Sequence, residues 1–152
     1  MRAVIQRVSS AACECEGAVT GEIGGGFAVF LGVHESDTEQ QADYIAKKIA
    51  NMRIFCDEDD KMNLSLSDCG GEILLISQFT LYGDCSHGNR PYFAAAARPE
   101  KAVVLYEYVI SLLRDKYKIG VKTGVFGGKM RISLVNEGPV TIILDTEEMR
   151  KK

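Results

Sequence analysis

Residues 72–81 read EILLISQFTL, and this stretch decides the predicted fold. Its first half is a nearly continuous apolar run with β-branched members, which is typical of a strand buried on both faces. Ser77, Gln78 and Thr80 then interrupt the run with polar groups. Such a break in a core strand suggests a site, although hydroxyls at a strand end also commonly bond loose backbone groups. We therefore predict a central strand and keep both interpretations of its polar end.

Two amphipathic helices are predicted, one on each side of this strand in the sequence. Ser36 and Glu39 have the spacing of a capping box and mark the start of the first helix. Pro99 opens the second helix, because a proline is well tolerated in a first turn. Each helix has one apolar face, formed by Ala42, Ile45, Ile49 and Met52 in the first and by Ala102, Tyr106, Val109 and Leu113 in the second. Both helices are thus expected to cover one side of a sheet.

Short β-rich segments complete the predicted sheet. They are residues 1–10, 18–21, 26–33, 121–126, 130–135 and 140–144. We expect turns at the glycines of 21–26 and at Gly138-Pro139, after which the last strand returns. The predicted fold is α+β, with mostly antiparallel barrel-like β-sheets and two main helices on one side. Residues 1–152 fit a single domain, and the uncovered side of the sheet leaves room for a homodimer.

Composition excludes several classes of protein. The content of 46% hydrophobic and 26% charged residues argues against disorder, and the net charge of -3 argues against indiscriminate binding of nucleic acid through an overall positive field. The N-terminal segment has no long apolar core, so neither a signal peptide nor a membrane span is predicted. Five cysteines without a secretory signal indicate reduced thiols. We expect a cytoplasmic protein with no membrane partner.

Side chains that could bind a metal or perform ordinary hydrolysis are few. Cys13 and Cys15 have the spacing of a metal-binding pair, but the only histidines are His34 and His87, and structural zinc needs four ligands. No metal and no cofactor are expected, and a Ser-His-Asp relay is poorly supplied. Local basic groups are candidates for RNA contact, with a solvated face as the alternative. These groups are Lys47, Lys48 and Arg53, then Lys122, Lys129 and Arg131, and finally Arg150, Lys151 and Lys152.

Two short motifs connect the chain with a known family. Residues 77–81 read SQFTL and residues 136–141 read NEGPVT, and together they resemble the two signature motifs of D-aminoacyl-tRNA deacylases, which remove D-amino acids mistakenly attached to tRNA. The resemblance runs through nearly the whole chain, including RAVIQRV at 2–8, GNRPYF at 88–93 and TGVFGGKM at 123–130. A related animal deacylase that acts on misacylated L-alanine differs at the first motif. The resemblance therefore implies the D-specific type.

This resemblance also implies an assembly and a set of site residues. The family fold is a homodimer in which strands of both subunits form the core, and a cis Gly138-Pro139 bond of one subunit enters the site of the other. Catalysis is assigned by the resemblance to Ser77, Gln78, Phe79 and Thr80. Substrate binding is assigned to Gly138, Pro139, Phe126, Met130 and Arg7, with Arg7 helping to fix the Gly-Pro unit.

The implied activity is hydrolysis of the ester bond of D-aminoacyl-tRNA, which releases the free D-amino acid and tRNA. The site would reject L-aminoacyl groups and so proofread chirality in translation. Glycyl-tRNA mischarged on tRNA-Ala is a further implied substrate, because glycine has no Cβ to reject. Two other classes stay open: a non-catalytic nucleic-acid-binding or scaffold protein of the same fold, and a general esterase that needs no RNA.

The chemistry of ester hydrolysis requires that the developing oxyanion be stabilised. Backbone amides of Phe79 and Thr80 can supply that stabilisation, with the vicinal ribose hydroxyl of the RNA helping to activate or orient water. The alternative makes Thr80 a nucleophile, but a neutral hydroxyl usually needs a positioned base and no motif residue provides one. We therefore predict a mechanism that depends mainly on main-chain groups.

Overall fold

A long, bent hairpin forms the framework of the sheet in this computed structural model, which describes residues 1–148. Strand β1 (Arg2–Cys15) pairs antiparallel with β2 (Ala18–Ile23), and the ladder continues into β3 (Gly26–Gly32). The chain reverses at Glu16-Gly17, where both φ angles are positive. β2 and β3 are therefore successive parts of one arm, so the turn predicted at the glycines of 21–26 is only a bend. The basic group predicted at 150–152 lies outside the described residues.

Two helices cover one side of this framework, as predicted. α1 (Glu39–Asn51) follows β3 and α3 (Pro99–Ser111) comes later in the chain, where it continues into a π-helical turn. The predicted apolar faces are confirmed, since their residues pack in one core cluster and only Met52 of them is partly exposed. Between the helices, β4 (Phe55–Cys56) and β5 (Met62–Leu64) form a separate hairpin, and α2 (Leu66–Cys69) is a single turn.

The start of α1 differs from the prediction by two residues. Thr38 is the N-cap and Gln41 completes the capping box, so the predicted pair of Ser36 and Glu39 is wrong. The reason is local, because the amide of Ser36 is already bonded to the ring of His34 in the preceding turn.

Strand β6 (Glu72–Ser77) is central, as predicted from its apolar run. It lies between β3 and β7 (Val121–Thr123) and runs parallel to both. Its residues alternate between two core clusters, with Ile73 and Leu75 in the cluster that contains the helices and Leu74 and Ile76 in the other. The sheet is therefore mixed rather than mostly antiparallel. The prediction failed because α1 and α3 each cross over between neighbouring strands, and such a crossover makes its two strands parallel.

Strand β8 (Met130–Asp145) pairs with the other edge of β1 along nearly its whole length. Its two ends face the two ends of β1, so the chain does not reverse at Gly138-Pro139 and the predicted turn is wrong. The Gly-Pro segment is instead a bulge. The four-residue step Gln6 to Ser10 on β1 faces a six-residue step on β8, from Thr141 to Val135. None of the described helices has the length and hydropathy that crossing a membrane requires.

Candidate functional site

A cavity of about 700 Å³ lies at the carboxyl end of β6. The end of β6, the start of α3 and the loop between β7 and β8 form its wall. The lining residues are mostly apolar and comprise Leu31, Val33, Ile76, Ser77, Gln78, Phe79, Phe93, Ala96, Ala97, Arg98, Pro99, Ala102, Tyr106, Phe126, Gly127, Gly128, Met130 and Ile132. Within the described chain this lining contains no histidine, aspartate or glutamate, so the usual side-chain bases do not face the cavity.

The predicted site residues divide into two groups. Ser77, Gln78, Phe79, Phe126 and Met130 all line the cavity, although they come from two distant parts of the chain. Thr80 is exposed and adjoins the lining without belonging to it. Arg7, Gly138 and Pro139 are not among the lining residues, so one copy of the chain does not bring the two motifs together in this cavity.

The polar end of β6 is a change from strand to 3₁₀ helix. The amide of Gln78 donates to the carbonyl of Leu31 at 2.8 Å, and the helix then runs over Phe79–Tyr82. The side-chain amide of Gln78 donates to the Thr80 hydroxyl. Because Phe79 and Thr80 are the first helical residues, their amides have no acceptor within the helix. Two adjacent main-chain donors thus lie at the edge of the cavity.

The approach of this 3₁₀ helix to β3 requires a glycine. A Cβ on Gly32 would lie only 2.9 Å from the Gln78 carbonyl oxygen and 3.3 Å from Cβ of Leu81. A side chain at this position would push the helix away from the end of the strand. The position of the Phe79 amide therefore depends on a residue of β3 that does not touch the cavity.

Arg2 fixes the other end of the 3₁₀ helix. Its Nη1 donates to the Leu81 carbonyl at 2.7 Å, its Nε donates to Asp145 at 2.9 Å, and its guanidinium lies 4.9 Å from the centre of the Tyr82 ring. Desolvation opposes ionisation of Asp145, but hydrogen bonds from the Glu147 amide and from Arg2 hold the pKa of that carboxyl below its usual value. Arg2 thus bonds the helix directly to β1 and connects it, through Asp145, to β8.

Aromatic side chains form two walls of the cavity. The ring of Phe79 meets Phe93 edge to face at 5.2 Å, and Phe126 packs on Tyr106 with ring centres 5.8 Å apart. The Tyr106 hydroxyl donates to the Leu75 carbonyl at 2.7 Å, and burial raises the pKa of that phenol. Apolar faces of this kind suit a flat ligand such as a nucleobase.

The second motif is an exposed bulge that is held by side chains bonded to main-chain carbonyls. The Gly138-Pro139 peptide bond is cis, as the resemblance implies, and both residues are exposed. Arg7 donates from Nε to the Glu137 carbonyl at 2.9 Å and from Nη1 to the Ile54 carbonyl at 2.7 Å. The side-chain amide of Asn136 donates to the Arg7 carbonyl on β1 at 3.0 Å and to the Val140 carbonyl just after Gly138-Pro139 at 3.1 Å. Arg7 therefore bonds to the carbonyl that precedes Gly138, and its part in substrate binding stays a prediction.

Strand pairing shows how far apart the two motifs lie. Ser77 on β6 is in register with Leu31 on β3. Leu31 is in register with Ala3 on β1, and Ala3 is in register with Leu144 on β8. Ser77 is therefore level with the end of β8. Gly138 is six residues away from Leu144 along β8. The two motifs are therefore separated by three strand spacings, about 14 Å across the sheet, and by up to about 20 Å along the strands.

The cavity also contains residues that the prediction missed, among them Phe93 and Arg98. Both residues lie just before the second helix, in a segment for which no site residue was predicted. The four alanines at 94–97, just before Pro99, could have indicated that this segment lies at the site, because small side chains allow it to pack closely on the end of the sheet. Among them, the Ala97 amide donates to the Val33 carbonyl at 2.9 Å.

Comparison with known proteins gives concordant matches. The family model described as D-Tyr-tRNA(Tyr) deacylase matches residues 4–145. A protein of Thermosipho melanesiensis named D-aminoacyl-tRNA deacylase is 52% identical over 149 residues, which are 98% of this chain and 99% of the relative. A protein of Thermus aquaticus with the same name is 54% identical over 148 residues, 97% of each chain.

Solved structures share the fold. The c-Myc DNA Unwinding Element Binding Protein superposes with a TM-score of 0.89 at 39% identity and covers 95% of this chain and 98% of its own. A probable eukaryotic D-amino acid tRNA deacylase superposes with a TM-score of 0.81 at 16% identity, over 94% of this chain and 97% of its own, which bears on the fold alone. With a family model that spans most of the sequence and relatives at about half identity, the chain belongs to the D-Tyr-tRNA(Tyr) deacylase family.

Proposed function

We propose that this protein hydrolyses the ester bond of D-aminoacyl-tRNA and releases the free D-amino acid and tRNA. Family membership supports the reaction, and relatives at about half identity carry the name of this activity. The observation that carries the proposal is the polar end of β6, where Ser77 and Gln78 face a mostly apolar cavity. The whole chain, residues 1–152, acts as one domain in the cytoplasm.

The size and lining of the cavity suit the end of an aminoacylated RNA. A volume of about 700 Å³ is within the usual range for small-molecule sites and accommodates an adenosine that carries an amino acid. Phe126 and Met130 line the part of the wall formed by the loop between β7 and β8 and by the start of β8, and Phe126 contacts the terminal adenine in this proposal. The ester then lies beside Ser77 and Gln78.

Stabilisation of the oxyanion comes from main-chain donors. The amides of Phe79 and Thr80 begin the 3₁₀ helix, have no acceptor within it and are rigidly supported. Donors held in place before the reaction stabilise developing charge without reorganisation, and loss of one such donor typically costs about 100-fold or more in kcat.

Water is activated without a protein base. The described lining offers no carboxylate and no imidazole, and the Thr80 hydroxyl accepts a hydrogen bond from Gln78. The vicinal ribose hydroxyl of the substrate takes the role of orienting or activating water. Thr80→Ala is therefore expected to keep most of its activity. A variant that stays folded and dimeric but falls to the rate of uncatalysed hydrolysis would refute this mechanism and favour Thr80 as a nucleophile.

The chiral filter is the Gly138-Pro139 segment of a second copy. Within one copy this segment is exposed and lies three strands and six residues of β8 away from the position of Ser77, so a homodimer is needed to complete the site. Large apolar side chains on the outer face of β8, Val135 and Ile143, are 57% and 66% exposed and suit such an interface. Carbonyls around the segment hold the substrate ammonium, and an L residue would drive its Cβ into this backbone.

Glycine as the aminoacyl group tests whether the filter works by rejecting an L side chain. A site that works by rejecting an L side chain has nothing to reject in an achiral residue, so glycyl-tRNA, including glycine mischarged on tRNA-Ala, is also a substrate. Glycyl-tRNA that decays at the uncatalysed rate in the presence of enzyme would mean that the site reads the D side chain instead.

A deacylation assay tests the main proposal. We expect D-Tyr-tRNA to be hydrolysed far faster than L-Tyr-tRNA, with the protein a dimer by light scattering. Equal rates on both would remove the chiral filter, and activity on small esters without RNA would indicate a general esterase. The 39% identical DNA Unwinding Element Binding Protein favours a second candidate, a nucleic-acid-binding protein. Tight binding to duplex DNA without any turnover of D-Tyr-tRNA would support that candidate.

A further inference from the structure

Arg98 differs from every other residue of the cavity wall. Among the lining residues, all of them in the described part of the chain, it alone carries a full charge. Its side chain is exposed, and no ion pair or side-chain hydrogen bond of Arg98 occurs within residues 1–148. A cation on the rim of an apolar cavity, with no protein group to neutralise it there, is available to an anionic ligand.

The backbone at Arg98 is held rigidly although the side chain is not. The Ala97 amide bonds to Val33 at 2.9 Å, and the Arg98 carbonyl accepts from the amides of Lys101 and Ala102 at 3.1 and 2.9 Å. Only side-chain freedom is lost when the guanidinium binds a ligand, because its point of attachment is already fixed.

We propose that Arg98 binds the last phosphodiester of the RNA substrate, the one that links the terminal adenosine to the nucleotide before it. This inference rests on the proposed function, since it needs an RNA end in the cavity. The cavity accommodates one aminoacylated nucleoside, so the next group along the RNA lies at the rim, and that group is the phosphate. A guanidinium recognises phosphate through two parallel hydrogen bonds, which orients the strand as well as attracting it.

The neighbouring charges provide a matched control. Lys101 is an exposed cation of the same helical turn, but it donates to the Glu35 carbonyl and does not line the cavity. Glu100 is exposed in the same turn and likewise does not line it. Lys101→Gln therefore removes the same charge as Arg98→Gln from nearly the same place and leaves the rim unaltered.

The test uses D-Tyr-tRNA in two forms, with the normal last phosphodiester or with an uncharged methylphosphonate there. Arg98→Gln is expected to lower kcat/KM about fivefold on the normal substrate and less than about twofold on the neutral one. Lys101→Gln should leave both values within about twofold of the wild type. For Arg98→Gln, loss of one phosphate contact should also make the negative slope of log(kcat/KM) against log(salt) shallower by about 0.7.

Arg98→Lys separates charge from geometry and should lie between the wild type and Arg98→Gln on the normal substrate. An equal loss by Arg98→Gln on both substrates, no loss on either, or the same loss in Lys101→Gln would each overturn the assignment while deacylation by the wild type stands. Wild-type protein that fails to hydrolyse D-Tyr-tRNA would instead overturn the proposed function, and this assignment with it.

Discussion

The two motifs of this protein are built in opposite ways. Ser77 to Thr80 continue a strand whose residues are buried on both faces, and the first three of them line a cavity. Gly138-Pro139 projects from an edge of the sheet with both residues exposed, and side chains of Arg7 and Asn136 hold it by its carbonyls. The first segment is thus positioned by core packing and the second by hydrogen bonds.

Each half of the proposed site is therefore sensitive to a different kind of change. Residues 77–80, the first segment, are positioned by many packing contacts. This segment should therefore respond to changes in the core and tolerate loss of a single hydrogen bond. The second segment has few contacts behind it, so a single side chain should control it. The following changes test that contrast.

Leu75→Ala should cause the largest loss of stability. Leu75 is fully buried on β6, and removal of its side chain should lower the free energy of unfolding by about 3 kcal/mol through lost burial and the cavity left behind. Val104→Ala, at a position 62% exposed on α3, should change it by less than about 0.5 kcal/mol. Urea denaturation measures both. A loss below about 1 kcal/mol for Leu75→Ala would mean that packing does not position the first segment.

Arg7→Gln should affect the second segment next most strongly. It removes charged donors from the Glu137 and Ile54 carbonyls and should lower the free energy of unfolding by about 2 kcal/mol. Deacylation of D-Tyr-tRNA should fall at least about tenfold, because a small displacement of a positioning group is costly. Arg53→Gln also loses a bond to a main-chain carbonyl, that of Asn63, and should keep full activity. Equal activity of the two variants would contradict the role of Arg7.

Tyr106→Phe should have a smaller effect, because it removes one hydrogen bond from a region supported by packing. The buried hydroxyl donates to the Leu75 carbonyl, and its loss should cost about 1 kcal/mol of unfolding free energy while the ring contact with Phe126 stays. Deacylation should remain within twofold of the wild type. Tyr108→Phe, whose hydroxyl makes an exposed 3.3 Å contact with Asp43, is the control and should be nearly neutral. A large loss of activity in Tyr106→Phe would show that the first segment also depends on single bonds.

Asp145→Asn should have the smallest effect, and that effect should depend on pH. The folded protein holds the pKa of Asp145 below its ordinary value of 3.8, so the carboxylate stabilises the fold above that pH and the contribution disappears as pH falls through the lowered pKa. At pH 7 the variant should lose less than about 1 kcal/mol. Urea denaturation at pH 7 and at pH 3 should show the difference from the wild type narrowing on acidification. A difference that widens at low pH would contradict the assignment.

Much of the fold could be predicted from local patterns. The apolar run of β6 and the single apolar face of each helix are visible in sequence because burial imposes a period of two or of 3.6 residues. Strand direction produces no such periodicity in the sequence. The alternation on either side of Gly138-Pro139 is the same for a turn and for a bulge, and only the pairing of both halves with β1 distinguishes them.

Prediction of the site residues was limited in the same way, because local patterns do not show which distant segments meet. Ser77, Gln78, Phe79, Phe126 and Met130 could be named through the family resemblance, and the structure brings them to one cavity. Arg98 could not be named in this way, because nothing in its local sequence shows that the start of α3 meets the end of β6. Tertiary proximity of segments that are distant in sequence is the information that periodicity lacks.

The bulge in β8 contains two extra residues, and this even number has a consequence for how the protein can vary. Side chains of a strand point alternately to its two faces, so one added residue would exchange the inner and outer sets beyond it. Ile132 and Leu134 before the bulge and Val140 and Ile142 after it are all more buried than their odd-numbered neighbours. Relatives or designed variants can therefore exchange residues within this segment, but they can lengthen or shorten it only in steps of two.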